Sequence, residues 1–208
     1  MTNNRKDNVH IFDVKNKDAN RCSQQGFTLI ELMITLVIAA IIMTIGVPSF
    51  ITTIQNSRLT TQINDLAADI SLARSEAIKR GVRVGLCRSA NPSAATPTCG
   101  GSNNTWSTGW LIYADDDASG AFVNANDTLI RIGQPAPTAV TVITNATANL
   151  DVQYNSDGTL NAGAIAVFTT CDSRGAGDGR QIQINTMGRP RLVKGADATL
   201  NCSSPAAV

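Results

Sequence analysis

The 208-residue sequence contains a single histidine, His10, and few charged residues of either sign. Because the rest of the chain has no imidazole, Ser–His and Cys–His catalytic pairs and histidine-ligated metal sites are excluded there. Lysine and arginine number 17 against 16 acidic residues, and this net charge of +1 excludes a chain that is basic throughout. Hydrophobic residues at 43% and charged residues at 16% exclude disorder from end to end.

Apolar residues are concentrated between Phe27 and Ile51, where Glu31 carries the only charge. At about 1.5 Å per residue, a helix of this length reaches roughly 37 Å, enough to cross a hydrocarbon core of about 30 Å. Residues 1–26 carry five basic and three acidic side chains, a net charge of +2 that favours a cytoplasmic flank. The run is longer than a signal-peptide core and no Ala-x-Ala follows it, so we expect a retained membrane anchor.

Helical periodicity continues beyond this run. Apolar residues over 54–78 recur at i, i+3, i+4 and i+7 spacing, polar residues such as Asp69 fall mostly off that stripe, and Gly81 is a typical helix stop. The pattern predicts one long helix from about Phe27 to Arg80. A proline within it predicts a kink or local melting near Gly46–Pro48.

The four cysteines after the apolar run predict two disulfides, whereas Cys22 precedes the run. Three pairings are possible. We favour the sequential pairing, Cys87–Cys99 with Cys171–Cys202, because each bond closes a short loop. Free buried thiols are the alternative. We favour disulfides over it because neither pair has the C-x-x-C spacing of a metal or redox site.

Residues 82–208 predict short strands that are separated by Gly, Pro, Asn and Asp clusters. The candidate strands are Arg83–Cys87, Trp110–Tyr113, Leu129–Ile132, Ala139–Ile143, Asp151–Tyr154, Ala164–Thr169, Gln181–Asn185 and Arg191–Val193. Since no helical period separates them, the fold class is predicted as α+β. A long N-terminal helix over 27–81, membrane-spanning at 27–51, is expected to pack on an antiparallel β-rich head over 82–208.

The start of the apolar run reads G-F-T-L-I-E-L over residues 26–32. This sequence resembles the type III leader and methylation site of type IV pilins and type II secretion pseudopilins. The resemblance implies that prepilin peptidase cleaves after Gly26, removing residues 1–26, and that Phe27 is N-methylated. It also implies that Glu31 faces the N-terminal amine of a neighbouring pilin, so that each buried charge meets its opposite. An ordinary anchor with an isolated glutamate is the alternative.

Two segments of the head carry a second resemblance. W-x-x-G-W followed by three aspartates over 106–117, and G-R-P-R over 188–191, resemble signatures of FimT/GspH-type minor pilins. We interpret Trp106 and Trp110 as core or stem-packing residues rather than as a base-stacking platform. FimT-like pilins are associated with natural transformation, and their G-R-x-R element is implicated in DNA binding.

Positive charge is concentrated near the C-terminus, where residues 174–194 contain five basic residues and one acidic residue, a net of +4. If residues 188–193 are extended, Arg189 and Arg191 point to one side, and Pro190 places the stretch at a sheet edge. The glycines of residues 175–179 would let a mobile loop close over the same DNA backbone. The expected DNA-binding residues are Arg174, Arg180, Gly188, Arg189, Arg191 and Lys194.

Three further observations limit the functions that the sequence predicts for the head. Pairing of these arginines with head carboxylates such as Asp178, or with neighbouring pilins, is the structural alternative to DNA binding. No aromatic residue follows Phe168, so base stacking is not expected there. Residues 115–120 copy the first half of a calcium loop, but Val123 and Asn126 stand at later ligand positions. We therefore expect a solvated turn, without a metal or cofactor.

Together these observations predict a minor type IV pilin in a pilus or its tip complex, binding extracellular double-stranded DNA non-specifically for uptake. Its expected partners are other major and minor pilins, prepilin peptidase, double-stranded DNA and, before assembly, the inner membrane. The head is expected in the periplasm and then on the cell-surface pilus. The alternative is a GspH-like minor pseudopilin of type II secretion without DNA binding. An anchored periplasmic enzyme is disfavoured, since no nucleophile or paired-acid site is recognisable.

Overall fold

The computed structural model describes residues 26–101, 106–145, 148, 151–161, 163–195 and 200–203. Apart from Gly26, the predicted leader lies outside the described residues, as does Cys22. The chain divides into two compact units, one ending at Ile45 and the other running from Gly46 to Val208. The second unit contains both β-sheets and the part of the helix that packs on them.

One α-helix, α1, spans Leu29–Arg80, close to the predicted bounds. It begins after Thr28, whose Oγ1 accepts a hydrogen bond of 3.3 Å from the backbone N–H of Glu31. It ends at Gly81, whose φ of 69° suits a left-handed helix cap. Of the predicted kink or local melting near Gly46–Pro48, local melting is wrong, because the chain is helical from Leu29 to Arg80 and a proline removes only one bond of the helical ladder. The kink stays a prediction.

The first part of α1 is apolar and exposed around its whole circumference. Large apolar side chains between Phe27 and Ile51 are more than half exposed almost without exception. Within the described residues, α1 is the one helix that is long and apolar enough to cross a membrane. This agrees with the predicted membrane-spanning segment by length and composition.

Within the described residues, eight short strands form two four-stranded antiparallel sheets, with the orders β3-β2-β1-β5 and β4-β6-β7-β8. The predicted antiparallel head is therefore confirmed, and each predicted strand bound lies within two residues of the observed one. The strands are β1 (Val84–Arg88), β2 (Trp110–Ala114), β3 (Thr128–Gly133), β4 (Thr141–Thr144), β5 (Asp151–Tyr154), β6 (Ala166–Cys171), β7 (Arg180–Ile184) and β8 (Pro190–Lys194).

The second part of α1 supplies one side of the main core. Leu66 and Ile70 of the helix are fully buried in a cluster that also contains side chains of both sheets. Trp106 and Trp110 belong to this cluster, and Trp106 meets Phe168 edge-on with 4.9 Å between ring centroids. The interpretation of both tryptophans as packing residues is therefore confirmed.

A buried carboxylate joins α1 to the first sheet. Asp69 is 2% exposed, its Oδ2 accepts a hydrogen bond of 2.8 Å from Trp110 Nε1, and its Oδ1 lies 3.1 Å from Arg131 Nη1. Burial raises the pKa of Asp69, and the contacts with Trp110 and Arg131 oppose this rise. The helical stripe alone would leave Asp69 in solvent, but the indole N–H of a buried tryptophan requires an acceptor at this point.

Two disulfides close the loops that the sequential pairing specifies. Cys87 is bonded to Cys99 with a Cα–Cα distance of 5.6 Å, and Cys171 to Cys202 with 6.0 Å. The second bond ties the C-terminal segment to the end of β6. Leu200 of that segment is buried and lies against Gly179, immediately before β7. The disulfide therefore stabilises the part of the second sheet that carries the C-terminal basic residues.

Candidate nucleic-acid interface

Strand β8 forms one edge of the second sheet, where it pairs with β7 alone among the described strands. The N–H of Asn185 donates to the Arg189 carbonyl at 3.3 Å, and at the other end Gly195 donates to Gly179 at 2.9 Å. In an antiparallel ladder every second residue forms hydrogen bonds with the partner strand. Pro190 follows the hydrogen-bonded residue Arg189, so the side of its backbone that lacks the donor faces away from β7. This agrees with the predicted edge position.

Three cationic side chains along this edge have no polar partner among the described residues. Arg189, Arg191 and Lys194 are exposed, and within the described residues none of their side chains makes a hydrogen bond or ion pair. We name these three residues the basic strip. By strand alternation Arg189 and Arg191 share a face, about 6.6 Å apart along the chain, whereas Lys194 lies on the opposite face.

Arg174 is partly buried and is held by polar side chains of the protein. Its guanidinium lies 2.7 Å from Asp172 Oδ2, 2.9 Å from Asn56 Oδ1 on α1 and 3.3 Å from Asp178 Oδ1. Burial acts to raise the pKa of Asp172, but the hydrogen bonds and positive charge of Arg174, together with the charge of Arg180, outweigh burial, so this pKa is lowered. The alternative that arginines pair with head carboxylates therefore describes Arg174.

Arg180 is also engaged by its own loop. Its Nη1 donates to the backbone carbonyls of Asp178 and Gly179. Between these two arginines, Ala176–Asp178 forms a short 3₁₀ helix. The mobile loop that closes over a ligand stays a prediction, and in the structure local hydrogen bonds occupy both arginines.

Gly188, the remaining expected contact, serves the turn between β7 and β8. Its φ is 73°, and a Cβ atom at this position would lie 2.1 Å from the Gly158 carbonyl oxygen and 2.9 Å from Tyr154 Cε1. Only a residue without a side chain permits both this backbone conformation and this close approach. Gly188 is buried, so its place in the G-R-P-R sequence reflects the geometry that precedes Arg189.

The positively charged side chain of Arg83 holds the aspartate-rich loop in place. Asp115, Asp117 and Asp127 each offer a carboxylate oxygen within 4.8 Å of the others. Arg83 forms an ion pair with Asp115 and donates to the Ala118 carbonyl at 2.9 Å. Hydrogen bonds from Ser119 and Asn126 lower the pKa of Asp117 to about 2. Arg83 and neighbouring N–H groups thus supply positive charge to a loop in which Asp117 is exposed and Asp115 is buried.

The expected assembly residues lie in the first unit. Gly26 and Phe27 precede α1, and Glu31 lies exposed in its first turn. These three residues are far along the chain from the basic strip. Their predicted roles concern processing and assembly, whereas the roles of the strip concern a ligand.

Sequence reasoning missed the contribution of Arg74, which lies off the apolar stripe of α1. Its Nε donates to the Gly158 carbonyl at 3.0 Å and its Nη2 to the Met187 carbonyl at 3.5 Å. Nothing in the local sequence distinguishes Arg74 from the other basic residues of the helix. Both acceptors are backbone atoms more than 80 positions away, so no motif could have identified them.

A long N-terminal helix, apolar in its first part and packed in its second part on two antiparallel sheets, defines a pilin-like protein. Residues 62–188 match the family model of the type II transport protein GspH, and residues 21–47 match the prokaryotic N-terminal methylation motif. The chain belongs to the GspH family, within the type IV pilins and pseudopilins.

Two crystal structures of the type IV minor pilin FimU from Pseudomonas aeruginosa PAO1 are similar in fold. One matches with a TM-score of 0.53 and 19% identity over 69% of this chain and 99% of FimU. The other, in a different space group, gives 0.53 and 18% over 71% and 97%. At these identities the likeness concerns the fold alone. No curated protein matches the sequence.

Proposed function

We propose that this chain is a minor type IV pilin whose basic strip binds the phosphate backbone of extracellular double-stranded DNA without reading its sequence. The observation that carries the proposal is the exposure of Arg189, Arg191 and Lys194, whose side chains have no hydrogen-bond or ion-pair partner in the part of the chain that the structure describes. Guanidinium groups donate forked hydrogen bonds to phosphate oxygens, and their contacts release counterions from DNA.

The other two cationic residues of this region have a supporting role. Arg174 and Arg180 are occupied by Asp172 and by backbone carbonyls, so they add positive potential rather than direct phosphate contacts. With about three contacts per subunit, binding is expected to be weak for one copy and to gain from several copies along one DNA molecule.

The surface of the head favours phosphate contacts over base stacking. Five of its six aromatic side chains, Trp106, Trp110, Tyr113, Tyr154 and Phe168, are fully buried, and Phe122 is partly buried. Stacking on exposed aromatic rings is the usual source of affinity for unpaired bases. We therefore expect duplexes of unrelated sequence to bind alike, and other polyanions to compete with them.

The N-terminal segment is proposed to follow the processing of its family. Cleavage after Gly26 would remove residues 1–26, methylation would modify Phe27, and residues 27–51 would hold the subunit in the inner membrane with residues 82–208 in the periplasm. Glu31 would then meet the N-terminal amine of another pilin during assembly into a surface pilus. Because the natural partners are other pilins, a structural rather than an enzymatic role is proposed.

A second candidate function is supported by the family description, type II transport. In a pseudopilin the basic strip would serve a different purpose, since charged residues and proline on an edge strand prevent edge-to-edge aggregation. This candidate requires no affinity for DNA. The two functions therefore differ in what happens when the strip is neutralised.

The test is a DNA titration of the full chain in detergent micelles at low ionic strength. Replacing Arg189 and Arg191 together with glutamine is expected to weaken duplex binding at least about tenfold, because two charge-assisted contacts are lost. The matched control replaces Lys79 and Arg80 with glutamine, which removes the same charge from two residues that both form ion pairs with Glu76. A less than about twofold effect is expected there.

Three results would contradict the proposal in different ways. Equal losses in both double variants would mean that net charge alone attracts DNA. Equal affinities in all three proteins would mean that the strip makes no contact. No binding by the wild type, with folding verified, would leave edge protection in a pseudopilin as the better account of the strip.

A further inference from the structure

One side chain of α1 reaches the turn that precedes the basic strip. Arg74 is half-buried, and its guanidinium donates to two carbonyls from separate turns, Gly158 at 3.0 Å and Met187 at 3.5 Å. Within the described residues Arg74 forms no ion pair with a carboxylate, so its polar contacts are these two carbonyls. An arginine that spans two turns fixes their separation.

The two turns also touch each other directly. The Gly188 backbone lies against the Gly158 carbonyl so closely that no Cβ atom fits between them. The N–H of Leu160 donates to the Thr186 carbonyl at 2.9 Å, which adds a second link. Arg74 therefore completes a junction in which α1, the turn at Gly158 and the turn at Gly188 are in contact with one another.

This junction determines where the basic strip begins. Both turn amides that lead into the strip bind Asn185: the Gly188 N–H donates to its carbonyl at 2.8 Å, and the Arg189 N–H to its Oδ1 at 2.9 Å. The backbone of Arg189 is thus fixed one residue after the contact that Arg74 supports. From Pro190 onward, pairing with β7 fixes the backbone of β8.

We propose that Arg74 is a positioning residue for the DNA contact: it holds the β7–β8 turn so that Arg189 and Arg191 present their guanidinium groups together. This inference rests on the proposed function for its consequence, although the positioning itself is independent of DNA. Lysine in place of Arg74 keeps the charge but has no planar fork for two carbonyls. The geometry therefore predicts that charge alone does not replace Arg74.

The first measurement is amide hydrogen exchange of the full chain in micelles, without DNA. In Arg74→Gln, the Gly188 and Arg189 amides are expected to exchange about tenfold faster, because opening the junction frees both from Asn185. The matched control Arg80→Gln removes the same charge from the same helix and should leave both rates unchanged. The Ile182 amide in β7 should stay protected in both. Unchanged exchange in Arg74→Gln would overturn the proposal.

The second measurement is DNA affinity in the same proteins at matched thermal stability. Arg74→Gln is expected to bind about tenfold more weakly than Arg80→Gln, and Arg74→Lys to fall between Arg74→Gln and the wild type. Wild-type affinity in Arg74→Lys would overturn the proposal, since charge would then suffice. If Arg74→Gln fails to fold, Arg74→Lys provides both measurements. Faster exchange with no DNA binding by the wild type would refute the proposed function and leave the positioning role intact.

Discussion

Replacing Gly188 with alanine is expected to destabilise the head by about 3 kcal/mol, combining the penalty of a left-handed conformation with that of overpacking. The φ of 73° is unfavourable for alanine, and the new Cβ would lie 2.1 Å from the Gly158 carbonyl oxygen. That atom belongs to a backbone turn, so it cannot rotate away as the end of a flexible side chain could. Relief requires the two turns to separate, which would also displace Arg189.

Chemical denaturation of the full chain measures this effect, and Gly163→Ala is the matched control. Gly163 has a similar φ of 64°, but apart from its chain neighbours no atom of the described residues lies within 4 Å of the position of its Cβ. We expect this control to lose only about 1 kcal/mol, the cost of the backbone conformation. Equal losses at the two positions would contradict the account, because the contact with Gly158 would then contribute nothing.

Replacing Asp69 with alanine is expected to cost about 2–3 kcal/mol, because it leaves the buried Trp110 N–H without an acceptor and Arg131 without its carboxylate. Asparagine keeps an acceptor oxygen for the indole and lacks the buried charge, so Asp69→Asn should cost about 1 kcal/mol or less. Denaturation at neutral pH distinguishes the two variants. Equal losses would mean that the hydrogen bond to Trp110 contributes little.

The difference in stability between wild type and Asp69→Asn is expected to depend on pH. Burial raises the pKa of Asp69 in the folded state above its unfolded value, so the folded protein binds this proton at the higher pH. As pH falls from neutral through the raised pKa, wild-type stability should therefore increase relative to Asp69→Asn. The relative gain stops below the ordinary aspartate pKa. A relative loss on acidification would show that the Arg131 and Trp110 contacts outweigh the burial of the charge.

The general fold was predictable because its signals are local. The apolar run and its continuing stripe predicted α1, and short segments between clusters of turn residues predicted the strands of both sheets. Pro190 predicted an edge position because a proline has no N–H to donate and therefore fits where that side of the strand faces no partner strand. Two arginines two residues apart at such an edge are then exposed together.

The rest depends on contacts between distant parts of the chain. The helical pattern placed Asp69 in solvent, but Asp69 is buried because it accepts a hydrogen bond from Trp110, 41 positions later in the chain. Arg74 acquired its role from carbonyls 84 and 113 positions away. Arg174 is a different case: Asp172 and Asp178 lie two and four residues from it, so the local sequence did contain the signal that this arginine is paired.

The central claim is that the basic strip makes direct phosphate contacts, and the salt dependence of DNA binding tests it most directly. The measurement compares full-length wild type with the Arg189→Gln/Arg191→Gln variant on one duplex across a salt series. Each phosphate contact contributes up to about 0.9 to the slope of log affinity against log salt, so the variant should lose about 1.8. An unchanged slope would contradict the account, because the two arginines would then displace no counterions from DNA.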